Sequence, residues 1–210
     1  MAQNLLVTLL FTAEKSAKLN LWKDMTDNIT ERFIESAKRA GAEIQQMDTL
    51  QEAAGYIMKK TTGNALVPES PLVKRHHLRA LLSEAGAEVF TGKFRNAGQF
   101  PGAGITFCNF CLADTGTVVL DSTDEEMRLA TTLPEKHFIL VDPCKILRDN
   151  LAAVEPMNAF HQGNEPKFIA YISGPSRTAD IERVLTIGCH GPREVHILLV
   201  SGISDDVMEN

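Results

Sequence analysis

Three groups of residues in this 210-residue chain carry side chains that could do chemistry. Ser173-Gly174-Pro175-Ser176-Arg177-Thr178 sets hydroxyls and a guanidinium around a Gly-Pro bend. Hydroxyls can donate to an oxyanion, and the planar fork of arginine matches carboxylate or phosphate. Gly188-Cys189-His190-Gly191-Pro192-Arg193 places a histidine between glycines, where it has little to pack against. A histidine near neutral pH can donate or accept a proton, so His190 is a candidate for acid–base work or ligand contact. Asp114-Thr115-Gly116-Thr117 is the third group. Gly116 permits positive φ, which lets successive amides form an anion-accepting nest. Thr115 and Thr117 add hydroxyls, and Asp114 can tie the turn or accept a substrate hydroxyl. The candidate ligand-binding set is therefore Asp114, Thr115, Gly116, Thr117, Ser173, Gly174, Ser176, Arg177, Thr178, His190 and Arg193. Asp114 and His190 are the candidates for catalysis. The same residues also suit a capped turn and an ordinary β-turn.

The flanking pattern says what would hold these residues. Residues 168–172 and 195–200 are short apolar runs bounded by Gly and Pro and read as buried strands. Between them, Thr178–Ile187 is compatible with a short helix carrying Asp180 and Glu182 in its first turns. A strand, a Gly-containing loop and a helix start would present unpaired amides to an anion. A crossover helix of that length spans about 15 Å. The Arg177 loop and the His190–Arg193 turn would then lie at opposite sheet edges, sharing a ligand only across a subunit interface or with the helix displaced.

The two C-terminal motifs, with Ala113-Asp114-Thr115-Gly116-Thr117-Val118 upstream, resemble the signatures of the lactate-utilisation (LUD-domain) family of the LutC/YkgG type. The resemblance covers roughly residues 104–200. It implies a Rossmann-like sheet with helices on both faces, like the NagB/RpiA/CoA-transferase group. It also implies a subunit of a system that oxidises L-lactate to pyruvate beside iron–sulfur partner subunits, binding a small anionic ligand. Two other functions remain open: an independent CoA- or nucleotide-dependent transferase, and a non-catalytic assembly subunit. No Walker loop and no G-x-G-x-x-G occurs.

Net charge is −6 and pI about 5.5, which argues against general nucleic-acid affinity. The N-terminal apolar run Leu5–Phe11 is too short to span a bilayer, and no Lys or Arg precedes it. With four cysteines and no secretory pattern, the expectation is a cytoplasmic, reduced protein. Cys108 and Cys111 form a C-x2-C pair, with Cys144 and Cys189 distant in sequence. Four thiolates could hold zinc or an iron–sulfur cluster. A second C-x2-C pair is missing, however, and cysteine in an apolar strand is commonly a core residue.

The organisation is α/β with an N-terminal helical extension: residues 1–41, then an α/β domain over 42–210. Trp22, Met25, Ile29, Phe33, Ala37 and Ala40 step at helical spacing, so 13–40 reads as an amphipathic helix ending at Gly41. Residues 1–12 are candidates for an arm on a second copy, which would make a homo-oligomer. Strands are expected at 42–47, 64–67 and 87–90. Helices opened by Asp48 and Ser70 alternate with them as a parallel βαβαβ. Lys74, Arg75, His76, His77 and Arg79 read as a solvated basic face, and 91–103 as a long loop where Lys93 and Arg95 could meet an acid. Strands 104–107, 118–121 and 137–141 follow. Arg128 is a candidate to point back at the site, a helix is expected over 144–154, and His196 reads as a satisfied core histidine.

Overall fold

A computed structural model of the chain describes residues 28–98, 101–163, 165–178 and 186–210. Helix α1 covers residues 28–39, followed by strand β1 (Glu43–Met47), α2 (Leu50–Lys60), β2 (Ala65–Leu66), α3 (Pro71–Arg75) and α4 (Leu78–Glu84). Then come β3 (Ala103–Phe107), β4 (Phe110–Leu112), β5 (Thr117–Asp121), α5 (Glu125–Thr132), β6 (Lys136–Val141) and β7 (Ile146–Leu147). Helix α6 (Val154–Phe160), β8 (Ile169–Ile172), β9 (Arg177–Thr178), β10 (Thr186–Ile187) and β11 (Glu194–Val200) complete the order.

Five strands make a parallel sheet in the order β1-β11-β6-β3-β2. Side chains on a strand alternate between faces, and here both faces are apolar. Phe138, Leu140, Leu198 and Val200 point to the side of Ile57, Leu72, Leu78 and Leu82 from α2, α3 and α4. Ile139, Val141, Val195, Ile197 and Leu199 point the other way, against Phe33 and Ala37 of α1 and Cys111 and Val118. Those last two belong to a second sheet, β7-β4-β5-β8, whose far face is closed by Phe160 of α6 packing near Phe110 and Val119. The sheet is thus covered by helices on both sides, with a smaller sheet sharing one of them. Gly104 lets α5 approach β3, because a Cβ there would sit 1.8 Å from the Ala130 carbonyl oxygen.

Several expectations change. Residues 177–178 and 186–187 are antiparallel strands, Thr186 opposite Thr178 and Ile187 opposite Arg177, so the crossover helix over 178–187 is replaced by a hairpin. Its middle, including Asp180 and Glu182, lies outside the described residues, as does 13–27 of the expected long helix. The helix opened by Ser70 breaks at His77, whose φ of 50° is left-handed, so His76 and His77 do not share one regular helix. Thr49 rather than Asp48 caps α2, its side chain accepting from the Glu52 amide while the Glu52 carboxylate accepts from the Asp48 amide just before the cap. Over 144–154 the chain instead forms a 3-10 turn at Pro143–Lys145 and then β7. The strand at 87–90 reduces to one bridge, Ala65 with Val89. β8 is not buried but a half-exposed edge, with Tyr171 51% accessible. Arg128 does not reach the motifs: it donates to the Ser122 and Thr123 carbonyls and lies over the Phe168 ring. Among the described residues, no helix is long and apolar enough to cross a membrane.

Candidate functional site

The three motifs come together on one side of the molecule, but in two different roles. Asp114–Thr117 is the bend between antiparallel β4 and β5, and Ser173–Ser176 is the bend between β8 and β9. β5 pairs with β8, which brings these bends side by side. Thr115 Oγ1 lies 2.6 Å from Thr117 Oγ1, and Thr117 Oγ1 lies 2.7 Å from Ser173 Oγ. This hydroxyl chain runs from exposed Thr115 through buried Thr117 to exposed Ser173. Both glycines close on α1: a Cβ at Gly116 (φ +64°) would lie 2.2 Å from the Ala37 nitrogen, and one at Gly174 (φ +75°) 2.1 Å from the Ala40 oxygen.

Arg177 belongs to the same clasp. Its Nη2 donates to the Ala40 carbonyl at 2.6 Å, satisfying one of the carbonyls that a helix end leaves unpaired. Gly41 (φ +94°) makes room, since a Cβ there would fall 2.1 Å from that same nitrogen. Asp114 is tied to α1 as well, by an ion pair with Arg32 at 2.9 Å. Arg177→Ala should therefore lower stability by about 1 kcal/mol, the worth of one charge-assisted hydrogen bond at an exposed site. Urea denaturation measures it, and an unchanged midpoint would mean the cap contributes nothing.

The third motif forms an opening. A cavity of about 660 Å³ is lined by Thr132, Pro134 and Glu135 on one wall and by Cys189, His190 and Arg193 on the other. It sits outside the amino ends of β6 and β11, the strands that follow Glu135 and Arg193. The Arg193 amide donates to the Glu135 carbonyl at 2.8 Å, which fixes the two walls together. The aliphatic stem of Arg193 lies against Gly188 (φ +78°), where a Cβ would be 2.1 Å from Arg193 Cγ. Arg193 Nη1 is 3.9 Å from a Glu135 carboxylate oxygen, too long to neutralise it tightly, and its side chain is 66% exposed. His190 Nε2 is 3.7 Å from Cys189 Sγ.

The hairpin also removes the expected separation of the two C-terminal motifs. The Ser176 amide donates to the Pro192 carbonyl at 3.0 Å, and the Gly188 amide to the Ser176 carbonyl at 2.9 Å. Ser176 and His190–Arg193 therefore form one continuous surface within a single chain. Of the expected ligand set, His190 and Arg193 line the cavity; Asp114 and Thr115 line a separate, smaller depression with Asp149 and Leu151.

The four thiols do not converge. Cys108 Sγ and Cys111 Sγ are buried 3.8 Å apart, while Cys144 and Cys189 are exposed elsewhere. A four-thiolate zinc or iron–sulfur site is not formed by this arrangement. Among the described residues one other trio has metal-ligating types within reach: Glu43, Glu194 and His196. His196 places Nε2 3.0 Å from Glu194 and Nδ1 3.4 Å from Glu43. Opposite edges of one imidazole thus face the two carboxylates, which suits protons and not a single ion. Lys60 and Lys136 already pair with those carboxylates. His196 stacks on Phe138 at 4.6 Å and lies 3.1 Å from the Tyr56 hydroxyl, as a satisfied core histidine. Burial and the Glu43 carboxylate push the Tyr56 hydroxyl up to about 12.

Three features gave no readable signal in sequence: the 132–135 wall of the cavity and, at the other end of the sheet, Lys145 and segment 201–210. The basic cluster is not a plain solvated face either. Arg75 pairs with Glu209, Arg79 bonds the Val67 carbonyl, and His76 Nε2 meets the Ile203 carbonyl at 2.9 Å. In the long loop, Arg95 pairs with Glu125.

Comparison with known proteins fits this architecture. The LUD domain family model matches residues 30–200. Lactate utilization protein C of Geobacillus kaustophilus is 32% identical over 169 residues, covering 73% of this chain and 70% of that one. Its namesake in Bacillus subtilis is 30% identical over 167 residues, covering 73% and 68%. A DUF162 family protein from Deinococcus radiodurans, known from a crystal structure, superposes with a TM-score of 0.60 at 18% identity. That match covers 84% of this chain and 98% of the other, a likeness of fold. With a family model spanning most of its length and full-domain relatives at this identity, the chain belongs to the LUD domain family.

Proposed function

We propose that this chain serves lactate utilisation as a cytoplasmic subunit that binds the carboxylate substrate in the cavity between 132–135 and 188–193. One observation carries the reading: His190 and Arg193 converge on a cavity of about 660 Å³, ample for a three-carbon acid. Arg193, propped on Gly188, supplies a fork for a carboxylate, and Ser176 lies against Gly191 at the rim. Oxidation of L-lactate to pyruvate removes two electrons and two protons. In this reading the C2–H and O–H bonds break, His190 takes the hydroxyl proton, and the iron–sulfur partner subunits take the two electrons while the C2 proton passes to a base on their side of the site. The names of the relatives support lactate utilisation; the role of His190 rests on geometry.

Titration calorimetry with L-lactate tests the carboxylate site. Arg193→Ala should weaken binding about tenfold or more, the loss of a charge-assisted pair. His190→Ala should leave binding within a few-fold but slow lactate oxidation by the assembled system about 100-fold, the scale of one acid–base group. Unchanged affinity in Arg193→Ala would overturn the assignment. The transferase alternative requires turnover by the isolated chain, and the assembly-subunit alternative requires that growth on lactate survive both substitutions.

A further inference from the structure

Open α/β sheets usually bind ligands outside the carboxyl ends of their strands. In this chain that edge is filled by its own segment 201–210. Asp142, directly after β6, accepts from the Ile203 and Ser204 amides at 2.7 and 3.2 Å. Asn109, just beyond β3, donates to the Met208 carbonyl at 3.0 Å. The centre of this packing is Glu209. Arg75 grips its carboxylate with both terminal nitrogens, one at 2.8 Å, and Ser204 Oγ donates to it at 2.9 Å. At the other end of the same residue, the Glu209 main-chain carbonyl accepts from Lys145 Nζ at 2.7 Å.

Lys145 is the unusual partner. It is 1% exposed, its second hydrogen bond goes to another neutral carbonyl, that of Cys108 at 3.2 Å, and among the described residues no carboxylate lies within ion-pair distance of it. A buried ammonium bonded only to neutral carbonyls is a costly arrangement. Glu209, Asp206 and Asp142 act on it only at longer range, and a carboxylate in place of the Glu209 carbonyl would give it a directly bonded counter-charge.

We infer that the carboxyl edge of the parallel sheet is a second ligand site, for a five-carbon dicarboxylate, and that Glu209 is its built-in occupant. The residue spans the site as such a molecule would: a carboxylate on Arg75 and Ser204, and a carbonyl oxygen on Lys145 at the far end of a five-carbon skeleton. A free dicarboxylate displaces the segment and meets positive charge at both ends. This site stands apart from the lactate cavity, which lies at the amino ends of β6 and β11.

Glutarate is the probe. A tethered competitor acts at an effective concentration of the order of mM, so Glu209→Gln should bind glutarate about tenfold or more tighter than the parent chain. Arg75 is half exposed and its removal spares the core, so Glu209→Gln/Arg75→Ala should lose that gain. Acetate, which reaches one end only, should bind the Glu209→Gln variant more weakly than glutarate. Arg193→Ala should leave glutarate binding unchanged. Equal glutarate affinity in parent and Glu209→Gln overturns the inference, as does acetate matching glutarate or loss of binding in Arg193→Ala. A lowered melting temperature in Glu209→Gln with no rise on adding glutarate would show Glu209 to be a structural clasp alone.

Discussion

Gly116→Ala is expected to destabilise the protein by about 3 kcal/mol or more. A left-handed backbone costs an L-residue about 1–2 kcal/mol, and forcing a methyl group into a packed contact costs about 1–3 kcal/mol more. At Gly116 both apply: φ is +64°, and the added Cβ would lie 2.2, 2.4 and 2.5 Å from the Ala37 nitrogen, the Ala37 Cα and the Ser36 carbonyl carbon. All three are helix backbone, which cannot rotate aside as a side chain can. Gly174→Ala should behave alike, against the Ala40 oxygen at 2.1 Å with φ +75°. For a chain of this size the loss corresponds to roughly 6–12 °C in melting temperature. Gly98→Ala is the control, since φ is +84° but nothing lies within 4 Å of the added carbon, leaving the backbone cost alone. Thermal melts of the three variants decide the matter. Equal losses would mean that contact with α1 contributes little. The structural variants should also raise amide exchange in residues 28–39 before the sheet responds.

This result bears on what the signature residues are for. Spacing alone leaves Gly116 open to an anion nest or a plain β-turn and Arg177 to a ligand fork or a structural contact, because glycine and arginine at a bend suit either use. The structure commits them to α1: Gly116 and Gly174 admit its backbone, and Arg177 donates to the Ala40 carbonyl at its end. Nothing local to those motifs could disclose this, since the partner helix lies more than 70 residues away in sequence. What was legible was periodic or capped: α1 from Phe33 and Ala37, α2 from its inward Ala53, Ala54 and Ile57, α3 from Ser70 and Pro71, and the apolar β6 and β11. What was missed is short. β4 has three residues and β7 two, too few for a period of two to show, so the second sheet was invisible. The expected helix over 178–187 was excluded by the pairing of Thr178 with Thr186, a tertiary preference that overrides the local one. The same hairpin sets Ser176 beside His190–Arg193, a proximity that the sequence reading had ruled out for one chain with a regular crossover.

Acid should unfold this protein partly through His137. The residue is fully buried on β6, with Nε2 2.9 Å from Thr106 Oγ1 and Nδ1 lacking any hydrogen-bond partner. Burial lowers its pKa from 6.5 to about 3, because the charged ring would lose water and gain only one weak partner. The sign follows from proton counting. Between pH 6.5 and about 3 the unfolded chain holds a proton on this histidine and the folded chain does not. Stability contributed by the neutral ring is therefore intact above pH 6.5 and is lost as pH falls, by about 1.4 kcal/mol per unit and about 4–5 kcal/mol in all. Replacing His137 alone would orphan the Thr106 hydroxyl, so the useful variant is Thr106→Val/His137→Leu, in which both polar partners go together. Its stability at pH 7.5 should match the parent within about 1 kcal/mol. Its stability–pH curve below 6.5 should be shallower by one proton. A slope identical to the parent would remove His137 from the acid transition. The distinction matters for the cavity, because His190 lies only four residues before β11, the strand that pairs with β6 and its His137. Lactate affinity that falls with pH in the Thr106→Val/His137→Leu background reports the ligand site; a fall present only in the parent reports the core.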